Sequence, residues 1–271
     1  MSHQNPKLSG AKAVTVETLQ EMKRAGQKIV CLTAYDASFG SILDEAGVDV
    51  VLVGDSLGNV IQGHDTTVPV TVDDMSYHTE CVSRGVHRGL LVADMPFLSF
   101  ATPDRAVDAA VCLMGGGGAA MVKLEGGEPV LEAVRVMSQH GVPVMGHLGL
   151  LPQSINQLGG YRMQGKSKAG AERLLRDARS LEEAGARALV LECVPADLAR
   201  EITAALGIPT IGIGAGPDCD GQVLVLYDML GITPGKKPRF VKDFMAGAGS
   251  VREAVAAFAS QIRSGAWPER D

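Results

Sequence analysis

A (β/α)8 barrel is the fold class that the sequence predicts, on the basis of three observations. Short aliphatic runs alternate along the chain with longer stretches whose apolar residues recur at helical spacing. Eight of these runs have the length and composition of β-strands. Glycines precede several of them, at positions where a helix would end and the chain would turn back into a sheet. Strands separated by helices usually run parallel. A doubly wound open sheet is the alternative architecture, because strand number alone does not separate the two.

The predicted elements extend over most of the chain. Helices are expected at Thr15–Ala25, which would cap the barrel floor, at Ala171–Ala184, at Ala196–Leu206 behind Pro195, and at Ser250–Ile262, on the outside of the barrel or against a neighbour. The predicted strands are Ile29–Ala34, Val50–Val53, Gly89–Ala93, Met121–Leu124, Val142–Gly146, Ala188–Leu191, Thr210–Ile213 and Gln222–Val225.

Length and composition fit one globular domain, which we expect to span residues 1–271. Barrels of about 250 residues commonly form a single domain, and 46% of the residues here are hydrophobic. The net charge of −6, from 25 basic and 31 acidic residues, argues against binding to a nucleic-acid backbone. The densest basic run, residues 236–239, is expected to solvate a loop.

Cysteine usage and local hydropathy predict a cytoplasmic protein with reduced thiols. The five cysteines are scattered, and no CxxC pair occurs. Residues 1–10 are polar and lack the apolar core of a signal peptide. No stretch approaches the roughly 20 apolar residues of a membrane span, so no membrane association is expected.

Charged or reactive side chains lie at the ends of five predicted strands. They are Asp55 with Ser56, Asp94, Lys123 with Glu125, His147, and Glu192. Because the active sites of (β/α)8 barrels lie at the C-terminal ends of the strands, we expect these side chains to ring one pocket. A buried group of carboxylates requires a neutralising cation, and oxygen ligands favour magnesium. The alternative is that the acids cap the helices that follow the strands, as Asp and Ser often do.

Two glycine-rich runs are weaker signals. Residues 212–216 (GIGAG) either cradle a phosphate or carboxylate with backbone amides or form a tight barrel turn. They lack the spacing of a dinucleotide fingerprint or a P-loop. The run Gly115–Gly118 is interpreted as a flexible helix-to-strand turn.

Eight short segments, taken in order, resemble the ketopantoate hydroxymethyltransferase family. They are LTAYD at 32–36, LVGDSLG at 52–58, GHDTT at 63–67, ADMPF at 93–97, VKLEGG at 122–127, GHLGL at 146–150, LECVP at 191–195 and GIGAG at 212–216. Each segment is a modest signal, whereas eight in register are specific. The one visible departure is the four-glycine run before Lys123, which affects local packing at the far end of the barrel from the site.

The resemblance implies a magnesium-dependent barrel of the phosphoenolpyruvate/pyruvate type. Its activity would be transfer of the one-carbon unit of 5,10-methylenetetrahydrofolate to 3-methyl-2-oxobutanoate, giving 2-dehydropantoate for pantothenate biosynthesis. The implied partners are thus a small 2-oxo acid and a folate, with neither nucleic acid nor membrane. The family also implies a homo-oligomer, often a decameric ring.

The resemblance assigns roles to the residues at the strand ends. Asp55 and Asp94 would bind the metal and, through it, the substrate, with Glu125 in the metal shell. Ser56 and Lys123 would hold the carboxylate and keto oxygen of the substrate. No folate-binding residue is identified.

Proton transfer is assigned to a carboxylate away from the metal. Glu192 would accept the proton from carbon 3 of the oxo acid, and the resulting enolate would be stabilised by magnesium. His147 would orient a water or hydroxyl, or serve a structural purpose.

Two other functions remain open at this point. One is a magnesium-dependent carbon–carbon lyase or mutase on the same scaffold, which would commonly use a reactive cysteine on a mobile loop. None of the five cysteines lies in such a motif. The other is a non-catalytic protein that binds small molecules, against which the intact Asp55, Asp94, Lys123 and Glu192 argue.

Overall fold

The computed structural model describes residues 12–160, 162–235 and 237–269. Eight parallel strands form a closed barrel in which each strand pairs with the next and the last pairs with the first. Closure occurs where Ile29–Leu32 pair with Gly221–Leu224, which confirms the barrel and excludes the open sheet. The strands are β1 (Ile29–Thr33), β2 (Val50–Val53), β3 (Leu90–Asp94), β4 (Met121–Glu125), β5 (Val144–Gly149), β6 (Ala188–Glu192), β7 (Thr210–Ile213) and β8 (Gly221–Leu224).

One helix precedes the first strand, and the other helices follow strands and lie outside the barrel. They are α1 (Val16–Arg24), α2 (Ala37–Glu45), α3 (Leu57–Val60), α4 (Val72–Ser83), α5 (Pro103–Ala110), α6 (Leu131–Gln139), α7 (Ile155–Leu158), α8 (Lys168–Glu183), α9 (Ala196–Ala205), α10 (Leu226–Met229) and α11 (Val251–Ser264). Single 3-10 turns cover Glu128–Val130 and Pro152–Ser154. Among the described residues, no helix has the length and apolar character needed to cross a membrane.

The barrel interior is filled by aliphatic side chains of the strands. Leu19 of α1 is fully buried in the same cluster as Ile29, Cys31 and Val50, so α1 closes the N-terminal end of the barrel, as expected. Thr15 begins this helix with a capping box, in which its hydroxyl accepts from the backbone N–H of Thr18 and the Thr18 side chain reciprocates.

The last helix packs on the outside of the barrel. One face of α11 is buried, including Val255, Phe258 and Ile262, and the helix contacts β1 and α2. Phe258 lies edge-on to Phe244, with ring centroids 5.3 Å apart. Through this aromatic contact, the long connection that follows β8 packs against α11.

The four-glycine run is only partly a turn. Gly115 and Gly116 belong to a π-helix, Val111–Gly116, so the expectation of a simple flexible turn over Gly115–Gly118 is wrong for its first half. A Cβ on Gly117 would lie 2.6 Å from the carbonyl oxygen of Leu113, and Gly118 has a φ of +81°. Only glycine tolerates these two positions. The run precedes β4, at the opposite end of the barrel from the strand ends that carry the acids.

Candidate active site

The polar strand ends predicted to ring one pocket are brought together. Asp55, Asp94, Lys123, Glu125 and His147 are all buried, each with at most 5% of its surface exposed. The strand register explains the convergence, since Asp94 pairs with Lys123 and Glu125 pairs with His147 across neighbouring strands. The last residues of β3, β4 and β6 are Asp94, Glu125 and Glu192. His147 lies within β5, which ends three residues later than predicted.

Asp94 holds the ends of three strands together. Its Oδ1 lies 2.8 Å from the Nζ of Lys123, and its Oδ2 accepts a hydrogen bond of 3.0 Å from the backbone N–H of Asp55. Asp94 thereby joins the C-terminal ends of β2, β3 and β4. Glycine at position 54 leaves room for Ser56, because a Cβ there would lie 2.7 Å from the Ser56 hydroxyl oxygen.

Asp55 is bound by a residue that the sequence analysis missed. The side-chain Nε2 of Gln153 donates to Oδ2 of Asp55 at 2.9 Å. Burial raises the pKa of Asp55 to about 8, with repulsion from Asp94 and Glu125 adding to the effect and Lys123 opposing it. The only indication of Gln153 in the sequence was its position as a polar residue that follows Pro152, shortly after β5.

His147 lies between two carboxylates and a lysine. Its Nδ1 is 3.4 Å from Oε1 of Glu125 and 3.3 Å from Nζ of Lys123, and its Nε2 is 3.3 Å from Oε2 of Glu192. Burial and the nearby lysine both lower the pKa of His147, but hydrogen bonding to Glu125 and Glu192 outweighs them and raises it to about 9. The two carboxylates therefore favour the protonated form of the ring.

Lys123 remains charged in this setting. Burial by itself lowers the pKa of the Lys123 ammonium, but Asp94, Glu125 and Asp55 raise it above its ordinary value. One buried cation, Lys123, and the basic ring of His147 thus lie among the acids. The acidic ring is partly neutralised by the chain itself.

Ser56 is held by a second residue that the analysis did not single out. The hydroxyl of Tyr35 lies 2.8 Å from the hydroxyl oxygen of Ser56. Tyr35 is almost fully buried, and burial raises the pKa of its phenol, so the phenol remains protonated. In the sequence analysis, Tyr35 appeared only within the LTAYD segment at residues 32–36.

The helix-capping alternative is wrong for the acids of the ring. The N-cap of α3 is Ser56, without a side-chain cap bond, and the N-caps of α5 and α9 are Thr102 and Pro195. Capping does apply to Asp36, whose side chain accepts from the backbone N–H of Phe39 at the start of α2.

The glycine-rich loop after β7 has the geometry of a tight turn. Gly214 and Gly216 have positive φ angles of +59° and +79°. A Cβ on Gly214 would lie 2.6 Å from the Phe240 ring, and one on Gly216 would lie 2.6 Å from the Cβ of Ala196. Close packing accounts for both glycines.

Cys193 follows Glu192 directly and has a φ of +48°. Burial, with a contribution from Glu192, raises the pKa of its thiol to about 12. Because the thiolate is the nucleophile, this cysteine is a poor candidate for the reactive thiol of a lyase.

The donor set fits a hard divalent cation. Magnesium commonly takes one or two carboxylates together with substrate oxygens and waters, and Asp55 and Asp94 are adjacent buried carboxylates. In the described part of the chain, no three or more His, Cys, Asp or Glu side chains form a ready metal cluster. The third candidate ligand, Glu125, contacts the imidazole of His147 and the backbone N–H of Gln153.

Comparison with known proteins gives one consistent result. The family model of ketopantoate hydroxymethyltransferase matches residues 13–270. The 3-methyl-2-oxobutanoate hydroxymethyltransferase of Burkholderia mallei (strain SAVP1) is 58% identical over 260 residues, which cover 96% of both proteins.

Several solved structures have a similar fold at low sequence identity. The phosphoenolpyruvate phosphomutase of Streptomyces platensis subsp. rosaceus has a TM-score of 0.61 at 12% identity, covering 80% of this chain and 83% of that one. A phosphonopyruvate hydrolase in complex with oxalate and Mg++ has a TM-score of 0.60 at 12% identity, covering 92% and 96%. These likenesses agree with the (β/α)8 barrel fold.

Proposed function

Because the chain belongs to the ketopantoate hydroxymethyltransferase family, we propose that it transfers the one-carbon unit of 5,10-methylenetetrahydrofolate to 3-methyl-2-oxobutanoate. The product would be 2-dehydropantoate, for pantothenate biosynthesis. The observation that carries the proposal is the buried group of Asp55, Asp94, Lys123, Glu125 and His147 with Glu192 beside it. The reaction requires a positively charged group that faces the 2-oxo acid and a separate base, and Lys123 and Glu192 would supply them.

The metal proposed for this site is magnesium, held by Asp55 and Asp94 with Glu125 in its shell. When bound, the cation would act as a Lewis acid on the keto and carboxylate oxygens of the substrate. The two buried carboxylates repel each other, which supports a site for a cation between them. The phosphonopyruvate hydrolase of similar fold was solved in complex with oxalate and Mg++, which supports a site for the ion and a small 2-oxo acid here.

Lys123 and Ser56 would bind the oxo acid. The Nζ of Lys123 is fixed against Asp94 at 2.8 Å, so its charge can stabilise negative charge that develops on the keto oxygen without reorganisation of the pocket. The hydroxyl of Ser56 is held by Tyr35 at 2.8 Å, and it would hydrogen-bond to the substrate carboxylate.

Glu192 would remove the proton from carbon 3 of the oxo acid. Its side chain is 15% exposed, more than the other acids of the group, so it borders both the pocket and the solvent. The carboxylate is 3.3 Å from Nε2 of His147. His147 would keep Glu192 aimed at the substrate and stabilise its ionised form before proton transfer.

The deciding experiment is incubation of the protein with magnesium, 3-methyl-2-oxobutanoate and 5,10-methylenetetrahydrofolate. We expect 2-dehydropantoate to form, and to disappear when either the folate or the metal is omitted. Cleavage of a carbon–carbon bond in a 2-oxo or hydroxy acid, without any folate-dependent product, would instead support the lyase or mutase. Binding of the oxo acid without turnover of any kind would support the non-catalytic alternative.

Two further features belong to the same proposal. The enzyme would act in the cytoplasm, in keeping with five free cysteines. It would assemble as a homo-oligomer, with a decamer as the form that the family resemblance implies. Light scattering coupled to size-exclusion chromatography would give the subunit number, and a monomer would contradict this part of the proposal.

A further inference from the structure

Gln153 links three strand ends of the candidate active site. Its Nε2 donates to Oδ2 of Asp55 and to the carbonyl oxygen of Met95, both at 2.9 Å. Its backbone N–H donates to Oε2 of Glu125 at 3.1 Å. One residue in the 3-10 turn after β5 therefore contacts two proposed metal ligands, at the ends of β2 and β4, and the residue that follows β3.

The orientation of the Gln153 amide follows from its neighbours. The carboxylate of Asp55 and the carbonyl of Met95 both accept, so the NH2 group must face them. The other end of the amide, Oε1, is buried without a hydrogen-bond partner among the described residues. Buried acceptors are rarely left unpaired, and an exception requires an explanation. In this orientation Gln153 makes both donor contacts, to Asp55 and Met95, while its Oε1 has no hydrogen-bond partner among the described residues.

The chemical nature of the donor also matters. Asp94 is paired with the charged Lys123 at 2.8 Å, whereas Asp55 is held by a neutral amide. A neutral donor fixes one carboxylate oxygen of Asp55 without offsetting the negative charge that a cation requires. Oδ1 of Asp55 then has a defined direction, and the Gln153 backbone likewise restrains the Glu125 carboxylate from its Oε2 side.

We propose that Gln153 is a positioning residue for the divalent cation, which sets the orientation of Asp55 by its side chain and that of Glu125 by its backbone. The inference rests on the proposed function, because it takes these two carboxylates as magnesium ligands. Residues that orient metal ligands from outside typically contribute about 10- to 100-fold in metal affinity.

The test is calorimetric titration of Mg²⁺ into the protein in the presence of 3-methyl-2-oxobutanoate. Gln153→Met removes both side-chain donor contacts but keeps the backbone N–H that reaches Glu125. We expect the Mg²⁺ dissociation constant to rise about 10- to 100-fold. At saturating Mg²⁺, kcat should change much less than the Mg²⁺ concentration needed for half-maximal activity, since the reacting groups themselves are intact.

A matched control is available in β8. Gln222 is also a buried glutamine, and its Nε2 donates to the carbonyl oxygen of Gly216 at 2.9 Å, away from the acids. Gln222→Met should lose thermal stability in EDTA but bind Mg²⁺ as the unaltered protein does. If Gln153→Met does not fold, Gln153→Asn serves for the same titration, because its shorter amide cannot reach Asp55 and Met95 in the same geometry.

The outcomes separate the two proposals. Unchanged Mg²⁺ affinity in the folded Gln153 variant overturns the positioning role, and so does an equal loss of affinity in Gln222→Met. Absence of Mg²⁺ binding to the unaltered protein, or unchanged binding to Asp55→Asn, overturns the proposed metal site and the positioning role with it. Weaker binding in the Gln153 and Asp55 variants, with normal binding in Gln222→Met, supports both.

Discussion

The imidazole of His147 bridges Glu125 and Glu192, with Nδ1 3.4 Å from Oε1 of the former and Nε2 3.3 Å from Oε2 of the latter. Through this ring, a proposed member of the metal shell and the proposed base are parts of one buried network. Because burial and Lys123 disfavour the imidazolium while the two carboxylates favour it, a change in either carboxylate alters the charge balance around the other. For each substitution in this network, metal affinity, the rate of proton transfer and the free energy of unfolding should therefore be measured separately.

Glu192→Gln should slow proton removal. The enzyme with magnesium should exchange the carbon-3 hydrogen of 3-methyl-2-oxobutanoate with deuterium from heavy water without any folate. Glutamine keeps the shape of the side chain but cannot accept the proton, so exchange should slow by about two to four orders of magnitude. Nuclear magnetic resonance follows the exchange, and calorimetry should show nearly unchanged substrate and metal affinity. Exchange at the rate of the unaltered enzyme would show that another group is the base.

Asp55→Asn and Asp94→Asn should each abolish tight magnesium binding. Each change removes a charged ligand from a cation that binds through few protein groups. Activity should fall by orders of magnitude while circular dichroism shows the folded barrel. Titration of Mg²⁺ with the oxo acid present is the measurement, and normal affinity in both variants would refute the assignment. Asp94→Asn should also lose stability, because it removes the partner of Lys123.

Lys123→Ala should weaken both substrate binding and the folded state. Removal of one partner from a buried ion pair typically costs about 3 to 5 kcal/mol, and Asp94 would lose its contact at 2.8 Å. We expect a higher KM for the oxo acid, a lower kcat, and unfolding at lower denaturant concentration. Lys168→Ala, at an exposed lysine at the start of α8, is the matched control. Normal turnover at ordinary substrate concentrations in Lys123→Ala would contradict the proposed role.

Without metal, the contribution of Asp55 to the stability of the protein should fall as the pH rises from about 4 to about 8. The pKa of Asp55 is raised to about 8 in the folded state, whereas an unfolded aspartate ionises near pH 4. Between these values the folded state holds the extra proton, so the free energy of unfolding decreases with increasing pH. Thermal unfolding in EDTA at a series of pH values measures the effect.

Asp55→Asn isolates this contribution. Asparagine can still accept the hydrogen bond from Nε2 of Gln153 but carries no charge at any pH. In EDTA, this variant should unfold at a higher temperature than the unaltered protein at pH 9, and the difference should narrow towards pH 4. Parallel curves over the whole range would show that Asp55 is not the group responsible.

The alternation of aliphatic and amphipathic runs was sufficient to predict the eight strands, α1 as a floor cap, and the positions of the main acids. These features follow from local periodicity, since strands and helices repeat over two and about 3.6 residues. The bounds of the strands were predicted less accurately. The predicted fifth strand, Val142–Gly146, starts two residues early and ends three residues short of the observed Val144–Gly149. Pairing with β6 extends it, because Leu148 and Gly149 are in register with Leu191 and Glu192.

The sequence by itself also determined which residue types meet at one end of the barrel, because parallel strands that close into a barrel end at the same face. Only the tertiary structure decided how those residues are held. Gln153 and Asp55 are 98 positions apart, and Tyr35 and Ser56 are 21 apart, so no local pattern could pair them. The pairing of β8 with β1 likewise joins residues that lie far apart in the sequence. Hydrogen bonds between distant residues depend on the folded path of the whole chain, whereas periodicity reports only on the neighbours of each residue.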